Sequence, residues 1–334
     1  MKRLPDVREI WNDLVERDPA ATFYHTPIWR DMITSAFPHL RDVSIAYELD
    51  DGEVAFMPRL EDPGRYRVLR SLESTVPGTY GGWLASRVLT DNELSRLYTA
   101  ADKRTAFHST ITLPPGHREM RLPRGYRSDV DFTQILSTQR QLTDDGHVRW
   151  DRPALRWSVG KAARAGLEVR EAGSLEDYRS YFEVYVDTLD RWGDRATSQY
   201  PWTLFEAGHA ASERAPGTIR LWLAFHQATV VAGMWLFYWK GNAYNWHSAV
   251  LRDHMKLRPM DFLVTTVTEH AAHNSFPRLD LMPSGGHTGV AQFKEKFGAE
   301  KVPVHRLRRI RRIPAALANG ISRLRSPHTR PEAP

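Results

Sequence analysis

The sequence predicts a mixed α/β (α+β) protein built from two units, and three observations carry that expectation. Its 334 residues are about twice the ~150 residues that a single domain commonly takes. Apolar residues recur at helical spacing in some segments and alternate with period two in others, the signatures of a helix face and a half-buried strand. Hydrophobic residues make up 41% of the chain, including 11 Trp, 12 Tyr and 13 Phe. That is enough apolar surface for substantial cores and excludes a disordered chain.

Residues 1–20 read as an amphipathic helix with Ile10, Trp11 and Leu14 on one face. Pro27 precedes a second, short helix near Trp29–Phe37. Two alternating runs, Val43–Leu49 and Glu53–Pro58, flank Asp50-Asp51-Gly52, whose Asp-Gly step marks a hairpin turn. Arg67–Leu72 comes next, then the glycine-rich loop Val76–Trp83, a helix at Asp91–Lys103 and a strand at Phe107–Leu113. These close a first unit near Leu136. The turn-rich Asp144–Pro153 leads to the second, so the expected boundaries are 1–145, 150–313 and a basic tail at 314–334.

In the second half a helix at Pro153–Ala165 carries Arg156-x-x-Val159-x-Lys161-Ala162-x-Arg164-x-Gly166, and Leu167–Ala172 reads as a strand. Leu175–Trp192 is a long helix with Tyr178, Phe182, Tyr185, Val186 and Leu189 on one face. Thr218–His226, Thr229–Trp239 and Asn242–Val250 are rich in aromatic and β-branched residues and form a three-stranded meander. A helix starts at Pro259, a favoured first position, and ends near Ser275.

Several function classes are excluded by composition. The chain has no cysteine, so disulfides, thiolate-bound zinc and thiol nucleophiles are absent. His270-x-x-His273 is the only close histidine pair and lacks an obvious third ligand, so no metal site is expected. Met1–Ile10 lacks the apolar run of a signal peptide, and no segment approaches the ~18 apolar residues of a membrane span. A cytoplasmic protein is the expectation. The net charge of +6 is uneven: Lys301–Arg325 holds eight Lys and Arg and no acid, leaving residues 1–300 at −2. Such a basic segment attracts RNA or an anionic membrane surface, or is simply a solvated tail.

The richest stretch is Arg278–Glu300: a short strand at Leu279–Met282 with Asp280, a Pro/Gly loop at Pro283–Gly289, then a helix with Phe293, Lys294 and Phe297 that ends at Gly298. At Gln292-Phe293-Lys294-Glu295-Lys296-Phe297-Gly298 the chain resembles the C-terminal signature of FemAB-like transferases, within the GNAT-like N-acyltransferase superfamily. The Arg156–Gly166 helix and the Tyr80-Gly81-Gly82 loop stand in the order that family shows, and the resemblance covers about residues 20–310. It implies two tandem GNAT-like units, each a mixed central sheet flanked by helices, and amide formation from an activated acyl donor.

Carried onto this chain, the resemblance makes Lys294, beside Phe293, the group that stabilises negative charge at the reacting ester; its bland alternative is a surface lysine. Asp280 either orients the substrate amine, acts as a base, or is a structural carboxylate at a strand end. Arg252, His254, Lys256 and Arg258 precede a helix N-terminus and suit a donor phosphate, or form a charged solvent loop. This is where GNAT acetyltransferases hold the pyrophosphate of coenzyme A, yet their glycine-rich string is missing. Tyr80 and Gly81 line an acceptor cleft or form a plain turn. Arg156 reaches a substrate anion or lies on a solvated helix face, and His247 contributes to the acceptor side or is a structural histidine. The resemblance implies no cofactor beyond the co-substrate. Aminoacyl-tRNA is the expected donor and an amine on a peptidoglycan precursor or small natural product the acceptor. Acyl-CoA or acetyl-CoA is the alternative donor, and a non-catalytic RNA- or membrane-surface-binding protein the rival class.

Overall fold

The computed structural model describes residues 1–5, 7–64, 70–102, 106–117, 121–196 and 199–310. The expected basic tail, 314–334, lies outside the described residues. In chain order the elements are β1 (Lys2–Leu4), α1 (Arg8–Arg17), α2 (Pro27–Ala36), β2 (Arg41–Asp42), β3 (Ile45–Glu48), β4 (Val54–Met57), β5 (Leu60–Asp62), β6 (Ser71–Glu73), α3 (Asp91–Ala101), β7 (His108–Thr112) and β8 (Arg127–Ser137). The second half holds α4 (Pro153–Arg164), β9 (Leu167–Glu171), α5 (Leu175–Trp192), α6 (Trp202–Arg214), β10 (Ile219–His226), β11 (Thr229–Trp239) and β12 (Asn242–Val250). It ends with α7 (Pro259–His273), β13 (Arg278–Asp280), α8 (Thr288–Glu295) and β14 (Glu300–Ile310).

One large mixed sheet organises the chain, in the order β2-β5-β6-β7-β14-β8-β13-β12-β11-β10-β9. The family resemblance implies a central sheet for each half; in the structure strands of both halves join in this one sheet. They meet at β14, which pairs antiparallel with both β7 and β8, and at β8, which also pairs with β13. Among the described residues only β6–β7 and β12–β13 are parallel, and each parallel pair is bridged by a helix, α3 and α7 respectively, as a crossover commonly is. A small second sheet, β1-β3-β4, contains the hairpin at Asp50-Asp51-Gly52.

Strand β11 is the spine of the second half. Its Trp235 and Phe237 face a core shared with α2, α5 and α6, while Met234, Leu236 and Tyr238 face the core covered by α4 and α7. Covered on both sides, the strand carries almost no polar residues. Helix α6 can approach because position 208 is glycine: a Cβ there would lie 2.0 Å from the Trp235 ring.

Three local expectations change. The first helix covers only Arg8–Arg17, because Lys2–Leu4 pairs with β3. Helix α5 buries Tyr178, Tyr181, Val184 and Tyr185, whereas Val186 is 40% exposed. The basic run after Lys301 is not free where it is described. Four of its cations lie on β14, and Lys301 pairs with Glu295, Arg306 with Asp131, Arg308 with Asp129 and Arg309 with Asp102. Among the described residues no helix is long and apolar enough to cross a membrane.

The Gly208–Trp235 contact gives a direct check on the packing. Gly208→Ala overpacks the α6–β11 interface and is expected to cost about 1–3 kcal/mol, read as a lower midpoint in denaturant melts with an unchanged slope.

Candidate active site

Strands β12 and β13 run parallel for only three residue pairs, Asn242↔Arg278, Ala243↔Leu279 and Tyr244↔Asp280, and then separate. Both sides contribute to the separation. Along β12 the register with β11 jumps from Trp235↔His247 to Leu236↔Asn245, so Trp246 is an extra, bulged residue that bends its strand. On the other side, the chain leaves the sheet after Asp280 and Met282 adopts φ 61°, a left-handed conformation uncommon for a side chain of this kind. The gap opens into a cavity of about 430 Å³ walled by Asn245 and Ser248 of β12, Asp261 and Val264 of α7, and Phe293 and Lys294 of α8.

Asp280 sits at the point of divergence and is 2% exposed. Its carboxylate accepts hydrogen bonds from the Tyr80 hydroxyl at 2.8 Å, the Thr133 hydroxyl at 2.5 Å and the Met282 N–H at 2.8 Å. Burial pushes its pKa up, while Thr133, Tyr80, the Met282 N–H and the charge of Lys294 pull it back down.

Lys294 enters the same place from α8. The helix is oriented by Phe297, buried against Trp150 with ring centroids 5.2 Å apart, and by Phe293, 5.1 Å from Phe297. The helix ends at Glu295, short of the expected Gly298, so Phe297 packs on Phe293 from the turn that follows, and Lys294 is left 7% exposed. Its Nζ donates to the Met282 carbonyl at 2.7 Å and the Ser284 hydroxyl at 3.0 Å. Loss of water pushes its pKa down to about 8, against the opposing pull of Asp280 and Asp131. The site therefore presents a buried ammonium whose proton leaves more easily than an ordinary lysine's, at about pH 8, on the wall of a largely apolar split.

The remaining expected site residues are dispersed. Of Arg252, His254, Lys256 and Arg258, only Arg258 reaches the cavity wall; the other three lie in the 3-10 turn Arg252–Leu257 ahead of α7. Tyr80 and Gly81 do not face a cleft: Tyr80 is fully buried on Asp280, and a Cβ at Gly81 would sit 2.3 Å from Ser74 Oγ. Arg156 donates to the Trp150 and Asp151 carbonyls at 2.7 and 2.8 Å, fastening the linker to α4. His247 shares a 2.6 Å hydrogen bond with the Tyr181 hydroxyl among the rings of Tyr185, Tyr200 and Phe205, and burial pushes its pKa down to about 3.

Sequence reasoning missed Thr133, Trp246, Asp261 and Lys296. Asp261 is buried in the first turn of α7 and forms an ion pair with Lys296, whose Nζ also lies 4.2 Å from the centre of the Phe293 ring. The signal for Asp261 was present, an acid two residues after a helix-opening proline. Thr133 lies 147 residues from its partner Asp280, and no local pattern marks it.

The lowered Lys294 pKa fixes a pH dependence. The folded group titrates at about 8 and the unfolded one near its ordinary 10.5, so between these values the unfolded state binds more protons and stability rises with pH. Relative to Lys294→Met, the wild type is expected to gain up to about 3 kcal/mol from pH 8 to pH 10.5, measured as the difference between their denaturant midpoints. Parallel pH profiles would contradict the buried-ammonium assignment.

Comparison with known proteins bears on the fold that carries this site. Residues 151–295 match the family model described as an acetyltransferase (GNAT) domain. A structure of FemX superposes with TM-score 0.61 at 13% identity, covering 91% of this chain and 97% of that one. L-PGS from Bacillus licheniformis superposes with TM-score 0.58 at 13% identity, covering 97% of this chain and 98% of that one. No curated protein matches in sequence. The chain shares the fold of FemX and L-PGS, and its residues 151–295 are similar to the acetyltransferase (GNAT) domain.

Proposed function

We propose that the protein is an N-acyltransferase that moves an aminoacyl group from aminoacyl-tRNA to an amine, forming an amide. The observation that carries this reading is the Lys294 ammonium on the wall of the β12/β13 split. A neutral amine attacks the ester carbonyl, and the carbonyl oxygen becomes an oxyanion that accepts a hydrogen bond from Lys294. The C–O bond to the ribose then breaks, and the departing ribose oxygen gains the proton that the attacking nitrogen loses. A fixed, largely buried cation stabilises the developing charge more than water would, and holding both substrates in one split supplies proximity.

Asp280, engaged by three donors, acts in this scheme as a positioning residue for Met282 and Lys294 rather than as a base. Phe293 forms part of the wall. The two βαβ crossovers, β6-α3-β7 and β12-α7-β13, support reading residues 1–145 and 150–313 as two GNAT-like units, the first on the acceptor side and the second on the donor side.

The choice of an ester over a thioester donor rests on α7. A coenzyme A pyrophosphate held at this helix N-terminus would meet the buried Asp261 carboxylate already in the first turn, and no glycine lies between Gly241 and Gly285 to let backbone wrap phosphates. An acyl-CoA-dependent N-acyltransferase is the second reading, favoured by the acetyltransferase family match.

Thermal stabilisation separates the two without knowledge of the acceptor, since any specific ligand raises the melting temperature by mass action. The expected result is a shift with a stable aminoacyl-tRNA analogue that vanishes when its aminoacyl end is removed. A shift with acyl-CoA alone would overturn the tRNA reading. With the reactive donor identified, Lys294→Ala is expected to slow transfer by about 10²–10³-fold while still binding it.

A further inference from the structure

We infer that the group received by this cavity is apolar, so that the protein selects donors by a hydrophobic side chain and discriminates against small and cationic ones. The inference rests on the proposed acyl-transfer reading but concerns only what the split holds.

Three observations converge. The floor of the cavity is formed by Met234, Ala249, Val264 and Leu281, all at most 3% exposed and none with a polar side chain. With Lys294 on the wall holding the reacting carbonyl, the side chain borne by that acyl group meets only hydrocarbon and thioether on this floor. Apolar surface buried there is stabilising in proportion to its area, roughly 0.8 kcal/mol per methylene, whereas an unfilled apolar floor forfeits that contribution.

The size of the cavity points the same way. About 430 Å³ falls within the range of pockets that enclose whole ligands and far exceeds what a hydrogen or methyl side chain fills. Met234, Met255 and Met260 all line it, and methionine's unbranched, polarizable side chain adapts to apolar shapes.

Charge supplies the exclusion. Among the described residues the inner wall offers one carboxylate, Asp261, and it is already paired with Lys296. Lys294 is bonded to the Met282 carbonyl and Ser284. A cationic side chain entering the cavity would lose its water and meet no unpaired counter-charge there, a penalty that buried ions do not recover without a partner.

The test uses two series of stable donor mimics. One is 3′-aminoacylamino-3′-deoxyadenosine bearing glycyl, leucyl, phenylalanyl or lysyl groups; the other is a coenzyme A thioether bearing a two-carbon or a 4-methylpentyl group. Calorimetric binding is expected to rank leucyl and phenylalanyl at least about tenfold tighter than glycyl, with lysyl weaker than leucyl, in whichever carrier binds. Val264→Phe, and independently Ala249→Leu should the first fail to fold, narrows the floor and is expected to erase the advantage of the large apolar groups while sparing the glycyl or two-carbon ligand. Binding confined to the coenzyme A series with the same apolar ranking would sustain the inference and overturn only the tRNA donor. Equal affinities, a lysyl or glycyl preference, or a ranking unmoved in the folded variants would overturn the inference. Absence of binding in both series would overturn it together with the reading beneath it.

Discussion

A carboxylate buried at a strand end must be surrounded by donors, and satisfying Asp280 ties together three parts of the chain that are remote in sequence. Tyr80 comes from the glycine-rich loop of the first half, Thr133 from β8, and the Met282 N–H from the turn that leaves β13. The last of these bonds holds Met282 in its left-handed conformation, which in turn presents its carbonyl to Lys294. Leaving any of these buried groups unpaired costs about 1–3 kcal/mol, so the network is also a reason for the turn, the lysine and the glycine-rich loop to keep one arrangement.

The split is a consequence of that constraint. Parallel pairing of β12 and β13 stops at the residue that carries the carboxylate, and the bulge at Trp246 turns β12 away at the same level. The two strands thereby open a cavity whose wall includes a desolvated ammonium. Lys294 is held by two protein oxygens, so the fold fixes its direction, and under the proposed reading it is aimed before charge develops beside it. The Asp261–Lys296 pair has a second effect: its carboxylate already occupies the first turn of α7, which leaves that helix end less free to cradle a phosphate.

Much of this was legible in the sequence where the signal is local. The meander β10–β12, the proline-opened α7 and the strand-loop-helix run from Arg278 to Gly298 each carry their own periodicity and punctuation, and Lys294 stood out from its place in that run. Strand β8 did not, because Val130 and Phe132 on it are exposed while Thr133 and Gln134 are buried, the reverse of a half-buried strand's usual pattern. Helix α6 was missed because its buried face, Leu204, Phe205, Gly208 and Ala211, includes two small residues that fit a close packing contact rather than an apolar stripe. The roles of Tyr80 and Thr133 were beyond local reading, since what makes them matter is a partner 200 and 147 residues away. The partners of the described cations after Lys301 were out of local reach for a related reason: these cations lie on β14, and most of their partners lie on β8 and in the first half.

The central claim is that the β12/β13 split receives the reacting carbonyl and that Lys294 meets it. A crystal structure with a non-hydrolysable aminoacyl-adenosine analogue tests this most directly. The account predicts the acyl carbonyl oxygen in the split, at a hydrogen-bonding distance of about 3 Å from Lys294 Nζ. A ligand seated on the 252–258 turn outside the split, or a carbonyl turned away from Lys294, would contradict it.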